Sequence, residues 1–192
     1  MKKKLDIYHK SVRKLSPSKN AFASLSRSII YQQISGKAAM SIEKKFLALF
    51  PKKKFPKPED VLSLRDEQFQ GAGISPQKRG YLRDLATKFL DKTISPKQFP
   101  KLSDEEIREH LIRVKGIGRW TADMFLMFAL NRPNVLPVGD LAIQKGFKIA
   151  FKLKTIPDEK KMQKLAREYD GEHTQLSLYL WSILDGNTET SF

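Results

Sequence analysis

The chain has 192 residues, enough for one domain of two lobes with a real core, and its 36 Lys and Arg against 21 Asp and Glu leave a formal charge of +15. That excess suits a polyanion, nucleic acid before an anionic membrane surface. The absence of cysteine excludes disulfides, thiolate metal sites and iron–sulfur clusters, and no apolar run approaches the roughly 20 residues of a membrane span.

The opening MKKKLDIYHKSVRKL is basic, but Asp6 and His9 interrupt any apolar signal segment, so an intracellular setting is expected. Helical spacing then takes over. Phe22, Leu25, Ile29 and Ile30 recur at three- and four-residue steps, as do Ala38, Ile42, Phe46, Leu47 and Phe50. Between the two runs lies the polar stretch Tyr31-Gln32-Gln33-Ile34-Ser35-Gly36, where a purely structural helical hairpin would place apolar residues. The stretch from Pro51 to Pro58 is a basic loop that its prolines keep out of helix. Pro58 and then Ser75-Pro76 open helices, the second with Tyr81, Leu82, Leu85, Ala86 and Phe89 on its apolar face. Ser103 with Glu106 three residues on is a capping-box signal.

The stretch Leu111 to Asp140 is the most informative. A helix tightens into Gly116-Ile117-Gly118, a second apolar helix runs through Ala122, Phe125, Leu126 and Phe128, and the chain breaks at Asn131-Arg132-Pro133 before reaching Asp140. Glycines flanking a buried Ile permit a sharp turn between helices. The turn would expose N–H groups where the next helix begins near Arg119 and Thr121, a natural seat for phosphate. An ordinary helix–helix turn is the structural alternative. Ile143, Phe147 and Ala150 mark a helix after Asp140, Pro157 starts another, and a last one carries Leu176, Tyr179, Leu180 and Trp181. No strand-like alternation or internal repeat stands out. An all-α fold of about ten short helices is expected.

Three segments in order carry a specific resemblance: Tyr31-Gln32-Gln33-Ile34-Ser35, Gly116-Ile117-Gly118-Arg119-Trp120-Thr121-Ala122-Asp123 and Leu136-Pro137-Val138-Gly139-Asp140-Leu141-Ala142, with a weaker fourth at Tyr179-Leu180-Trp181. Together they resemble the helix-hairpin-helix (HhH-GPD) DNA glycosylases, and more narrowly the 3-methyladenine DNA glycosylase II branch of alkylation repair. The likeness covers about residues 20 to 184 and implies the compact form without the β-rich amino-terminal domain of longer bacterial enzymes. It implies one glycosylase domain, residues 1–192, in two lobes with a cleft between them. Lobe one is about 22–130, including the hairpin at 111–122, and lobe two about 1–21 plus 131–192, with Asp140 at the cleft mouth.

The expected activity is hydrolytic excision of alkylated bases such as 3-methyladenine and 7-methylguanine from double-stranded DNA by base flipping, the first step of base excision repair. Breaking the bond from deoxyribose to base develops a sugar cation, and a carboxylate, Asp140, would stabilise it and orient water. The same Asp could simply cap the following helix. Asp123 is the rival carboxylate, expected to be structural or solvent-facing. In relatives that also cut the backbone, a nucleophilic Lys stands two residues after the second hairpin glycine. Trp120 occupies that place here and has no amine for a Schiff base, which implies a monofunctional enzyme without lyase activity. By resemblance Trp120 and Trp181 form the base pocket, offering faces to cationic purines, with Tyr31, Phe22 and Met124 as lesser wall candidates; each could instead be core.

By the same resemblance Gln33 is the wedge that fills the stack when a base is rotated out, and Gln32 positions it. Backbone carbonyls of Ile112, Val114 and Ile117 are implied to hold Na+ or K+ against a DNA phosphate, while catalysis needs no cofactor. Gly116, Ile117, Gly118, Arg119, Thr121 and Lys115 at the hairpin, with Lys37, Lys78, Arg79 and Lys145, are the candidates for the DNA backbone, or else plain surface charge. A monomer is expected, linked to a downstream abasic-site endonuclease only through its product, and no membrane partner. Two alternatives stay open: a glycosylase for another lesion (hypoxanthine, 1-methyladenine or oxidised bases), and a non-catalytic binder of DNA structure using the same hairpin.

Overall fold

The computed structural model describes residues 17–184, all of whose regular elements are helical. In order these are α1 (Ala21–Tyr31), α2 (Gly36–Ala48), α3 (Pro58–Leu62), α4 (Asp66–Gly71), α5 (Pro76–Leu90), α6 (Asp104–Ile112), α7 (Arg119–Met124), α8 (Leu141–Ala150), α9 (Glu159–Ala166) and α10 (His173–Leu184). The starts follow local chemistry. Asn20, Ser35, Ser75, Ser103, Asp140 and Asp158 each accept a backbone N–H from the first turn of the helix they precede. Ser103 and Glu106 complete both arms of the expected capping box. Among the described residues no helix is long and apolar enough to cross a membrane.

Two compact units divide the chain between Phe125 and Leu126, the first beginning at Ser18. The expected lobe limits fell at residues 22 and 130; the parts of lobe two at residues 1–16 and beyond 184 lie outside the described residues. In the first unit, Leu25, Ile29 and Ile30 of α1, Phe46 of α2 and Leu82 and Leu85 of α5 are fully buried, as are Ile107 and Leu111 of α6. Burying one such side chain contributes roughly 1.5–3 kcal/mol. Around them Phe22 meets Phe89 edge-on at 5.1 Å and Phe55 at 6.3 Å.

The second unit packs α8 and α10 around Ile143, Phe147, Leu176 and Leu180, with Met162, Ala166 and Tyr169 closing the core. The two helices approach so closely at Gly146 that a Cβ there would stand 2.7 Å from the Leu180 carbonyl oxygen.

Three details depart from the sequence reading. The post-hairpin helix does not continue regularly to Phe128: α7 ends at Met124 and widens into a π-helical turn, Phe125–Ala129. Just beyond it Asn131 stands at φ 55 and Arg132 N donates back to Leu126 O at 2.9 Å as Asn131-Arg132-Pro133 leads away. α4 was not anticipated, because six residues show too little periodicity. α9 starts on Asp158 rather than at Pro157, since the carboxylate can accept a first-turn N–H and proline's side chain cannot.

Candidate functional site

In the first unit the hairpin is made rigid from three sides. Val114 N donates to Leu111 O and Ile117 N to Val114 O, so the chain turns tightly after α6. Gly116 sits at φ +82, and a Cβ on it would overlap the Tyr81 ring of α5; only glycine meets both conditions. Asp84, also on α5, accepts from the Lys115 backbone N–H at 2.8 Å. Ile117 is buried beneath the turn. Gly118, in an extended conformation, precedes α7 without any side-chain cap, and a Cβ there would meet open space. The Ile112, Val114 and Ile117 carbonyls belong to this turn; Val114 O already accepts from Ile117, but a carbonyl oxygen has a second lone pair, so the set is compatible with a monovalent cation.

Ion pairs brace α6 against α7. Arg108 Nε donates to Asp123 Oδ1 at 2.6 Å and Arg108 Nη1 to Glu105 Oε2 at 3.0 Å, while Arg119 bonds both Glu105 oxygens at 3.0 and 3.1 Å. Asp123 is buried, the structural outcome of the two expected for it. Burial pushes its carboxyl above the usual range and Arg108 only partly opposes this. The Glu105 carboxyl is held below its usual range, chiefly by the hydrogen bonds from Arg119.

Beside the hairpin a concavity of about 900 Å³ opens within the same unit. Tyr31, Gln32 and Gln33 line it from the end of α1, and Trp120, Thr121 and Met124 from α7. Trp120 is 51% exposed, an unusual degree for an indole, so it is wall rather than core. Gln32 Nε2 donates to Gly116 O at 2.8 Å, joining two segments 84 residues apart. Gln33 is exposed at φ 56, a left-handed conformation unusual for a side chain of its size.

Several expected positions fall elsewhere. Phe22 is core, packed on Phe55 and Phe89, and is not in the lining. Lys78 is half-buried, and its ammonium donates to Ile30 O and Gln32 O, both at 2.7 Å. It closes the end of α1 instead of reaching outward, and burial lowers its pKa. Arg79 pairs with Asp66 at 3.1 Å, and Thr121 is buried against the concavity. Lys37, Lys115 and Lys145 are exposed, as the backbone role requires. Glu43, Arg27 and Tyr81 also line the concavity and were missed, since nothing in linear order joins α2 to the end of α1.

In the second unit Asp140 is the N-cap of α8, its Oδ1 accepting from Ile143 N at 2.9 Å and from Trp181 Nε1 at 3.2 Å. Trp181 stacks on Phe128 with centroids 6.2 Å apart. The strap before Asp140 is tied to α10. Thr174 donates from its N–H to Pro133 O and from Oγ1 to Arg132 O, and Oγ1 accepts from Val135 N, while the Ser177 hydroxyl is shared between His173 O at 2.8 Å and Val135 O at 3.2 Å. Gln144 Nε2 then holds Val138 O at 3.0 Å. Thr174 and Ser177 were also missed, although two buried hydroxyls on an apolar helix were a readable sign.

The family model described as HhH-GPD superfamily base excision DNA repair protein matches residues 26–169. DNA-3-methyladenine glycosylase 1 of Schizosaccharomyces pombe is 34% identical over 164 residues, 85% of this chain and 72% of that protein. The YfjP protein of Bacillus subtilis is 32% identical over 162 residues, 82% of this chain but only 56% of its own length. Among solved structures, the S. pombe 3-methyladenine DNA glycosylase in complex with abasic DNA superposes with a TM-score of 0.81 at 30% identity, over 99% of this chain and 93% of that one.

Proposed function

Because this chain belongs to the HhH-GPD superfamily of base excision DNA repair proteins, in its 3-methyladenine DNA glycosylase II branch, we propose that it hydrolyses the N-glycosidic bond of alkylated purines, 3-methyladenine and 7-methylguanine, in double-stranded DNA, without cutting the strand. The hairpin seats a phosphate on the N–H groups beside Gly118, with Lys115, Lys37 and Lys145 as further backbone contacts. Gln33 enters the stack as the base rotates out, and the Trp120 face receives the cationic purine. As the C1′–N bond breaks, its electron pair leaves with the base, which becomes neutral. The Asp140 carboxylate balances the positive charge on the sugar, and a water oxygen bonds to C1′ as its proton passes to that carboxylate or to solvent.

One observation carries this reading: Asp140 is fixed through Oδ1 by two donors, the Ile143 N–H and the Trp181 indole, at the end of a strap anchored on α10. Helix capping alone needs the first donor but not the second. Trp120 at the position of a lyase nucleophile supports hydrolysis by water. The test is release of methylated bases from treated duplex DNA, read as free base and as alkali-labile sites. Wild type is expected to release base and to give no borohydride-trapped adduct, whereas Asp140→Asn should lose at least about 100-fold in rate while DNA binding persists. Binding without release would leave a DNA-structure binder.

A further inference from the structure

The wall of the first unit's concavity contains an ion pair that the proposed reaction does not use. Glu43 of α2 has a side chain only 14% exposed. Its Oε1 accepts from Arg27 Nε at 2.6 Å, and its Oε2 accepts from the Tyr31 hydroxyl at 2.8 Å. All three residues line the concavity beside Trp120. Arg27 is itself steadied, its guanidinium lying 5.1 Å from the centre of the Phe55 ring. A core role alone would not call for a carboxylate, a guanidinium and a phenol on the surface of a cavity.

The consequence lies in the one proton of the phenol. Tyr31 gives it to Glu43, and only oxygen lone pairs remain for anything entering the concavity. A carboxylate cannot donate back, so this polarity is fixed as long as Arg27 holds Glu43 in place. The hydrogen bond to Glu43, followed by burial, also raises the Tyr31 pKa above the ordinary phenol value of 10.0. Among alkylated purines the group at carbon six differs in kind. Adenine types carry an amine, which donates; guanine and hypoxanthine types carry an oxygen, which accepts and would oppose the Tyr31 lone pairs.

We infer that Glu43, acting through Tyr31, sets base specificity by turning the cavity wall into an obligate hydrogen-bond acceptor that favours 6-amino over 6-oxo purines. The inference rests on the glycosylase reading above and narrows it. Tyr31 is the residue that touches the base; Glu43 is a positioning residue.

The experiment uses the full chain on DNA treated with a labelled methylating agent, with released 3-methyladenine, 3-methylguanine, 7-methyladenine and 7-methylguanine separated by chromatography. At each methylation position wild type should favour the 6-amino base by about 10-fold or more. Glu43→Gln keeps the shape but reverses the logic. Arg27 claims the amide oxygen, the amide N–H₂ faces Tyr31, and the phenol must accept and turn its own proton into the cavity. The amino-to-oxo ratio should therefore fall at both positions, with a gain in 6-oxo release. Tyr31→Phe, which loses only the hydroxyl, should flatten the ratio by slowing 6-amino release, and it decides the matter alone if Glu43→Gln does not fold. A packing role would slow all bases equally. Release with an unchanged ratio in the folded variants overturns this inference alone; no release by wild type overturns the glycosylase reading and the inference with it.

Discussion

Asp140 illustrates what one residue's place in sequence does and does not disclose. Its capping role was legible, because an Asp before an apolar helical run acts on its own next three residues. Its second partner was not: Trp181 lies 41 residues later, and its hydrogen bond exists only after α10 has docked. For Trp181 the sequence suggested a flat face for a cationic base, whereas the structure gives its N–H a partner. A Trp181→Phe substitution separates these uses, since it keeps a ring against Phe128 and removes the donor. The expected result is a fall of about 10-fold in kcat with KM nearly unchanged, the equivalent of one charge-assisted hydrogen bond of roughly 1.5 kcal/mol, measured by single-turnover and steady-state release of methylated bases. A rise confined to KM would return Trp181 to base binding. Tyr31 and Glu43 make the same point in the first unit, since two polar residues 12 apart show their pairing only once α1 and α2 pack together.

Elements were easier to read than contacts, because caps and turns are local chemistry. Ser103-Glu106, Ser75-Pro76 and Gly116-Ile117-Gly118 all produced the structure their residue types call for. The π-helical turn after α7 was hidden, since the apolar run Phe125–Ala129 carries no residue type that marks a change from one helix winding to another. The hairpin itself makes two predictions. Gly116→Ala combines a left-handed backbone with a side chain that collides with Tyr81, and should cost about 1–3 kcal/mol or more, seen as a lower melting temperature together with weaker DNA binding. Acid should loosen the same element. The Glu105 and Glu106 carboxyls are held below their usual range, Glu105 chiefly by Arg119 and Glu106 by the Ser103 hydroxyl. Their contribution is present above the unfolded value near pH 4.3 and is lost as pH falls through the lower folded values. Asp123 has the opposite sign: with its folded pKa raised, its contribution is full below about pH 4 and is lost as pH rises through the folded value. Amide exchange across α6 should therefore accelerate as pH falls below about 4, after correction for the intrinsic exchange rate, and a Glu106→Gln variant should show a weaker dependence. An unchanged pH profile in that variant would mean that the cap does not govern the helix.

For the molecule as a whole, a charge of +15 on 192 residues is a statement about association, and it was available from composition alone. Which cations face DNA was not. Lys78 and Arg79 bind within their own unit, and Arg119 is engaged by Glu105, which leaves exposed lysines such as Lys115 as the proposed backbone contacts. Binding to undamaged duplex should weaken steeply with salt, and Lys115→Ala should reduce the magnitude of the log–log slope by about 1 while leaving the wild-type ratio of base release unchanged. Fluorescence anisotropy over a salt series measures it, and an unaltered slope would remove Lys115 from the interface. One further consequence belongs to this scale. The Gln32 side chain is fastened to the Gly116 carbonyl, and Lys78 binds the carbonyls of Ile30 and Gln32. On the proposed reading, the fingertip that would test each step of the duplex and the knuckle that would steady the strand are parts of one stiff hand, and inspection would advance by moving the whole grasp, with no separate clock for touch and hold.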